Sequence, residues 1–234
     1  MGFLGDDHFE ASLFNLAVEF YREGMDFHDG MSHQRRLGNF KFAELMFIRT
    51  AREGEGRAHI YLGYLYERDL CDGDYWGHQD QVVIGDDGYP VRPAPMTTEM
   101  REQFAYHHFA LAAADDSAEG CYKLGDMLRD GKGFKRDPVQ ALAWYRNGYD
   151  LAATEGDAIN EGRAARRIAR LLEEGTGCPQ SFEEAYVWYE RAVSCLKPSV
   201  RTSELAGEES WYRGALRHAE EGLARVKQEL SGTY

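Results

Sequence analysis

The chain has 234 residues, of which 43% are hydrophobic, and carries a formal net charge of −13. This apolar content is enough for a continuous core, whereas the negative charge argues against nucleic acid as a partner, because neutralising phosphates requires a basic surface. No stretch approaches about eighteen consecutive apolar residues and no basic start precedes an apolar run, so we expect a cytoplasmic protein that does not enter or bind a membrane.

The first predicted repeat, over residues 9–54, is faint. Small and apolar residues recur at helical spacing in both halves of it. These residues are Ala17, Val18, Tyr21 and Gly24 in the first half and Ala43, Phe47 and Ala51 in the second. His28 and His33 lie between the halves, and we interpret them as loop residues because no third metal ligand accompanies them.

The second predicted repeat, over residues 57–116, is interrupted by an insertion at 70–97. Its helix positions are Leu62, Gly63, Tyr66, Ala105, His108 and Phe109. Within the insertion, two short β-prone runs flank an Asp87-Gly88 turn, which predicts an isolated β-hairpin; the alternative is a loop without regular structure. Insertions in repeat proteins fall at one rim, so we expect this one to modify a binding face.

Two stronger copies of one pattern follow, over residues 117–152 and 158–194, and they are offset by 44 residues throughout. The matched pairs are Leu124 and Ile168, Gly131 and Gly175, Gly133 and Gly177, Ala141 and Ala185, Trp144 and Trp188, and Tyr145 and Tyr189. A fixed period of this size is typical of stacked units that cannot bury their apolar faces alone, so that neighbours complete one core.

Each of these copies predicts a pair of helices. Leu124, Gly125 and Leu128 share one face of a helix, which the glycines at 131 and 133 then end by supplying a left-handed backbone. Asp137, followed by Pro138, has the character of an N-cap for the second helix. In the other copy, Ser181 and Glu184 have the spacing of a capping box.

A known family has this pattern. The string Leu124-Gly125, Leu128, Gly131-Lys132-Gly133-Phe134, Asp137, Ala141 and Trp144-Tyr145 resembles the Sel-one-like repeat, a relative of the tetratricopeptide repeat. The resemblance is specific over residues 117–194, moderate over 57–116 and weak over 9–54. It implies an all-α fold, a single right-handed α-solenoid over residues 1–234, and a role as an adaptor in protein complexes. Ile168-Ala169 departs from the Leu-Gly of the family.

A C-terminal helix is predicted at 203–231, after Leu196-Lys197-Pro198, which we expect to break the chain. Its apolar stripe is made of Tyr212, Ala215, Leu216, Ala219, Leu223, Val226 and Leu230. A repeat array needs an end cap, so we interpret this helix as the cap of the last repeat. The alternative is a dimerisation helix that makes a homo-oligomer.

In helical solenoids the first helix of each pair lines the concave surface, so exposed positions of the first helices predict a binding groove. The candidate groove residues are Arg57, Tyr61, Tyr64, Tyr122, Lys123, Arg163, Arg166, Arg167 and Arg170. Tyrosine and arginine are the types that most often anchor interfaces, so we expect a protein or peptide partner with acidic or aromatic side chains. The alternative is a solvated basic face paired locally with Glu161, Glu173 and Glu174.

Chemical motifs are weak, and we expect no catalytic residue, no cofactor and no metal. Ser194 and Lys197 match the Ser-x-x-Lys of penicillin-binding enzymes, but the companion motifs are absent. The cysteines form no CxxC pair, and Cys121 has a core position. The alternative function is a small-molecule or metal-dependent enzyme or binder. Its site would lie between the insertion and the groove. Its polar groups would be those of Asp72, Asp74 and His78.

Overall fold

The computed structural model describes residues 6–25, 33–70, 96–205 and 212–232, with side chains from Ser12, Arg35, Met96 and Tyr212 onwards in these ranges and up to Thr202 in the third. Every regular element in them is an α-helix, which confirms the predicted all-α helical-repeat class. The helices are α1 (Asp6–Met25), α2 (His33–Arg52), α3 (Arg57–Glu67), α4 (Thr98–Ala114), α5 (Ala118–Asp130), α6 (Pro138–Glu155), α7 (Ala158–Glu174), α8 (Phe182–Leu205) and α9 (Arg213–Ser231). None of these helices is long and apolar enough to span a membrane.

The chain divides into two compact units, unit 1 (Met1–Leu111) and unit 2 (Ala112–Tyr234). In unit 1, α2 packs against both α1 and α3. Phe47 stacks on Tyr61 with 4.7 Å between ring centroids, and Phe14 meets both rings edge-on. The buried Glu44 accepts a 2.6 Å hydrogen bond from the Tyr66 hydroxyl, so a short polar contact joins α2 to α3 inside this aromatic core.

Unit 2 contains two helix pairs, α5 with α6 and α7 with α8, followed by α9. The first helices contact one another in order, α5 with α7 and α7 with α9; we call these three helices the first-helix layer. The backbones of α5 and α7 approach more closely than those of α6 and α8. The first-helix layer is the side that the repeat pattern predicts for binding.

The turns between paired helices confirm the expected roles of the glycines. Gly131 ends α5 with φ 71° and Gly175 ends α7 with φ 65°, both in the left-handed region where a β-carbon is unfavourable. The following helices start with the predicted caps, because the Asp137 side chain accepts from the amide of Gln140 and Ser181 Oγ accepts from the amide of Glu184.

Aromatic residues at matching repeat positions have matching environments. Trp144 and Trp188 are both half-buried, and the tyrosine that follows each of them is fully buried. A β-carbon on Gly125 would lie 2.5 Å from the Tyr145 ring, so only glycine permits this close approach of α5 to α6. Gly63 lies against Phe109 in the same way in unit 1, which relates that helix pair to the repeats of unit 2.

The predicted break at Pro198 is wrong, because α8 continues through this proline to Leu205 and α9 begins only at Arg213. Leu196 and Val200, on either side of the exposed proline, are buried, so core packing maintains the helix although one backbone donor is missing. The hairpin predicted at 82–91 lies outside the described residues.

Replacing Gly125 with alanine tests the close approach of α5 to α6. The added β-carbon would overlap a ring that cannot move freely, and overpacking of this kind costs about 1–3 kcal/mol. We expect the free energy of unfolding, measured in urea, to fall by that amount. Gly214→Ala in α9 is the control, since its β-carbon meets nothing within 4 Å and alanine favours the helix. Equal effects of the two changes would contradict the packing argument.

Candidate functional site

The predicted groove residues of unit 1 lie at the edge of its aromatic core. Tyr61 is half-buried in the stack with Phe47, and Tyr64 is half-buried with its ring edge-on to Phe109. Arg57 is exposed and forms a two-pronged ion pair with Glu55, with Nη2 at 2.7 Å from Oε2. These three positions therefore have packing or local pairing roles within unit 1.

In unit 2 the first-helix layer is joined by an ion pair between successive repeats. Arg167 of α7 binds Asp126 of α5 through two nitrogens, with Nε 2.8 Å from Oδ1 and Nη2 2.6 Å from Oδ2. The side chains retain only 11% and 14% of their exposure, so the pair is shielded from water. A planar guanidinium matches a carboxylate in this geometry, which gives the contact direction as well as strength.

Asp126 also receives donors from its own repeat. The hydroxyl of Tyr145, on α6, donates to Asp126 Oδ1 at 2.8 Å. Arg129 Nη1, one turn further along α5, approaches the same oxygen at 3.2 Å. One carboxylate thus accepts from a tyrosine and an arginine of its own helix pair and from a second arginine of the next pair.

The electrostatics of this cluster follow from its burial and its charges. Burial alone would raise the pKa of Asp126, but the charge and hydrogen bonds of Arg167, aided by Lys123 and Arg129, outweigh burial and hold that pKa below its ordinary value of 3.8. Burial raises the pKa of the Tyr145 hydroxyl, and the charge of Asp126 raises it further. At neutral pH the carboxylate is therefore ionised and the hydroxyl remains a donor.

A second contact between the same helices lies towards their N-terminal ends. The Tyr122 hydroxyl donates to Glu119 Oε1 at 2.7 Å, and Arg163 Nη1 donates to the Tyr122 oxygen at 2.8 Å. The guanidinium of Arg167 lies over the Tyr122 ring at 4.3 Å from its centroid. Tyr122 is buried, and its hydroxyl has a pKa raised by burial and by Glu119, so it acts as a neutral bridge.

The next repeat interface reproduces this arrangement with different residues. The Tyr189 hydroxyl donates to Glu173 Oε2 at 2.6 Å, and Arg225 of α9 donates to both oxygens of Glu173, at 2.9 and 3.1 Å. A tyrosine from the second helix, a carboxylate from the first helix and an arginine from the following helix therefore recur as a set, and α9 takes the place of a further repeat.

Two arginines of α7 stand apart from these sets. Arg170 is exposed and pairs with Glu174 one turn along the same helix, with Nε 2.6 Å from Oε1. Arg166 is half-buried, and its Nε is buried without any hydrogen-bond partner among the described residues. Burial first, and then the charge of Arg167, lowers the pKa of Arg166 to about 10.

The structure corrects where the predicted groove residues of unit 2 lie. The exposed wall expected from the repeat pattern has only Arg170 fully in solvent, while Arg163, Arg166 and Arg167 are half-buried and Tyr122 and Lys123 are buried. The reason is that carboxylates on α5, 41 and 44 residues earlier, draw Arg167 and Arg163 into the contact between repeats. Local pairing was expected as the alternative, and among the described residues only Arg170 with Glu174 matches it.

Five residues of the two sets that combine a tyrosine, a carboxylate and an arginine were absent from the predicted site, namely Asp126, Tyr145, Glu173, Tyr189 and Arg225. The sequence does carry a signal for the ion pair of Asp126 and Arg167, because this acid and this arginine occupy first-helix positions about one repeat apart. No such rule finds Arg225, because α9 follows a connection of a different length.

Redox and metal chemistry have few candidate residues in the described ranges. No three side chains among the described His, Cys, Asp and Glu come together as a metal site. Burial raises the pKa of the Cys121 thiol to about 11, so this core thiol is a poor nucleophile at neutral pH. Asp72, Asp74 and His78, the groups of the alternative enzyme site, lie outside the described residues.

Comparison with known proteins assigns the repeats. The family model of the Sel1 repeat matches residues 118–153 and 162–195, which cover α5, most of α6 and α7, and α8 as far as Cys195. The protein carries Sel1 repeats. Sel1 repeats generally mediate contacts between proteins, and proteins built from them are typically non-enzymatic scaffolds. No curated protein matches the chain significantly.

Two solved structures are similar to the chain. A Sel1 repeat protein from Oxalobacter formigenes is 18% identical with a TM-score of 0.50, and the match covers 88% of this chain and 68% of that one. A protective antigen of uropathogenic Escherichia coli strains that displays an SLR fold is 17% identical with a TM-score of 0.48, covering 93% of this chain and 39% of that one. At this identity, the first similarity supports a shared fold and nothing about a partner.

Arg167→Met tests the ion pair that joins the two Sel1 repeats. The change leaves Asp126 buried without its main counter-charge, which costs about 3–5 kcal/mol in comparable pairs. We expect the free energy of unfolding to fall by about that much in urea unfolding. Arg170→Met is the matched control, because its exposed pair with Glu174 contributes less than about 1 kcal/mol. Similar small losses in both variants would show that the buried pair does not stabilise the repeat interface.

Acidification should weaken the same Sel1 interface. The folded state lowers the pKa of Asp126, so this group stabilises the protein fully above its unfolded pKa and loses that contribution as the pH falls through the folded value. We expect the free energy of unfolding to decline from about pH 4 downwards. Asp126→Asn removes the titrating group, so its stability curve should be flatter over this range. A decline of unchanged slope in that variant would assign the acid sensitivity to other carboxylates.

Proposed function

We propose that the protein is a non-enzymatic adaptor that binds a protein or peptide on the first-helix layer of unit 2. The observation that carries this proposal is the distribution of charge on α7, where Arg170 is exposed and Arg166 is half-buried without an ion pair, while the carboxylates of α5 pair with Arg163 and Arg167. The general role of Sel1 repeats in contacts between proteins supports the same assignment.

The chemistry of the layer favours an acidic segment as the occupant. The protein as a whole is acidic, so an acidic partner would be repelled by most of its surface and attracted mainly by a local cationic area. Arg170 lies at the exposed edge of α7, where a charge steers association and sets its salt dependence. Arginine also offers a large contact area with directed donors, a combination common at interface anchors.

Reversing one exposed charge tests this surface without disturbing the fold. We expect Arg170→Glu to weaken capture of the partner about tenfold and to reduce its salt dependence, because a rim charge acts mainly on association. Arg146→Glu, on the second helix α6, makes the same charge change at an exposed position outside the layer and should bind normally.

The partner for this assay would first be identified by site-specific photo-crosslinking. A photoreactive residue at position 170 should give a defined protein adduct in cells, whereas one at position 187, exposed on α8, should not. The adduct would then be reproduced with the purified partner. Adducts only from position 187, or equal binding by both charge-reversal variants, would contradict binding on the first-helix layer.

A further inference from the structure

Arg166 is a half-buried cation that forms no ion pair with the described residues, although the charge of Asp126 acts on it from a distance. It lies on α7, in the middle helix of the first-helix layer, and its Nε is closed off from solvent without a hydrogen bond. The residue as a whole is only half-buried. Part of the side chain therefore remains in contact with solvent.

The carboxylates near Arg166 are already occupied. Asp126 accepts from Arg167, Arg129 and Tyr145. Glu173 accepts hydrogen bonds from the Tyr189 hydroxyl and from Nε and Nη2 of Arg225. Drawing either acid towards Arg166 would break a contact between successive helices, so neither of these two acids can pair with Arg166 without loss to the fold.

At the corresponding position of the preceding repeat, the side chain has its hydrogen-bonding groups paired. Tyr122 precedes Arg166 by one repeat length, and its hydroxyl both donates to Glu119 and accepts from Arg163. The later copy replaces this neutral, paired side chain by a cation without a partner. An unpaired buried charge is costly to the folded state, so a binding function is the favoured explanation for its presence.

We propose that Arg166 is the subsite for a single carboxylate, supplied by a glutamate or aspartate side chain of the segment that occupies the first-helix layer. The inference rests on the proposed function and specifies its recognition chemistry. A carboxylate suits one planar guanidinium, which can hold both oxygens. A phosphate dianion suits the site less, because the neighbouring Arg129 and Arg167 are neutralised and the ionised Asp126 would repel a second negative charge.

The subsite can be tested directly with a matched pair of small probes. N-acetyl-glutamate N-methylamide and its glutamine counterpart differ only in the carboxylate. We expect the Nε–H resonance of Arg166 in NMR spectra to shift saturably with the glutamate probe and not with the glutamine probe or with sodium chloride at equal ionic strength. No saturable shift, an equal shift with chloride, or a stronger response to inorganic phosphate would overturn the proposal.

Methionine variants separate a binding role from a structural one. Arg166→Met keeps an unbranched stem as far as the position of Nε and removes the unpaired charge, so we expect the melting temperature to stay equal or rise. Arg167→Met, at the adjacent position, should lower it because Asp126 loses its partner. If Arg166→Met lowers the melting temperature as much as Arg167→Met does, Arg166 has a structural partner and the proposal fails.

Peptides selected from a random display library on the wild-type protein connect the subsite to the adaptor role. We expect one acidic position to be enriched, and binding to fall about thirtyfold or more when that residue becomes an amide or when Arg166 becomes methionine. Peptides that bind the layer regardless of Arg166 would overturn the subsite and leave the adaptor role intact. A glutamate probe that binds Arg166, together with no protein adduct from position 170, would leave the subsite intact and overturn the adaptor role.

Discussion

Successive repeats of unit 2 have to be fixed to each other across the first-helix layer, and the shared carboxylate of Asp126 does this. It binds the tyrosine of its own helix pair and the arginine of the next pair at the same time. Because the carboxylate is nearly buried, losing either donor leaves charge in a medium that solvates it poorly. The relative position of α5 and α7 therefore depends on a polar contact as well as on the apolar core.

The same requirement explains how the array ends. A repeat that lacks a successor would leave the carboxylate of Glu173 with a tyrosine donor only, and the apolar side of α7 and α8 would face water. α9 supplies both the missing donor and the apolar cover, since Arg225 pairs with Glu173 and since Ala219 and Val226 are buried. The Tyr189 ring lies so close to Gly222 that a β-carbon there would overlap it, so α9 is fitted to this end of the array.

The repeat period and local rules were sufficient to predict much of the fold. The helix pairs, the left-handed glycines and the caps at Asp137 and Ser181 follow from spacing and from backbone chemistry, which act over a few residues. Pro198 was misjudged for the complementary reason: a local rule predicts a break, but burial of Leu196 and Val200 outweighs it. Packing of this kind is a property of the assembled unit and has no signature in a short window.

Side-chain positions in the candidate site were harder to predict, because exposure on a helix surface depends on what the neighbouring helix presents. Arg163 and Arg167 appear solvent-facing on a single helix, yet acids on α5 pair with both of them. Comparing charges between repeats, rather than along one helix, would have indicated these pairs.

The pairing between repeats also explains why the fold can tolerate the unpaired cation of Arg166. Glu119, Asp126, Arg163 and Arg167 form the ion pairs along the layer, and the position shared by Tyr122 and Arg166 lies beside these pairs. In the earlier copy a tyrosine there is satisfied by its neighbours. In the later copy α9 directs its arginine to Glu173 and brings no acid to Arg166. A repeat protein can thus keep the ion pairs between its repeats constant and vary one position beside them. Recognition of a partner can change at that position while the repeats stay joined.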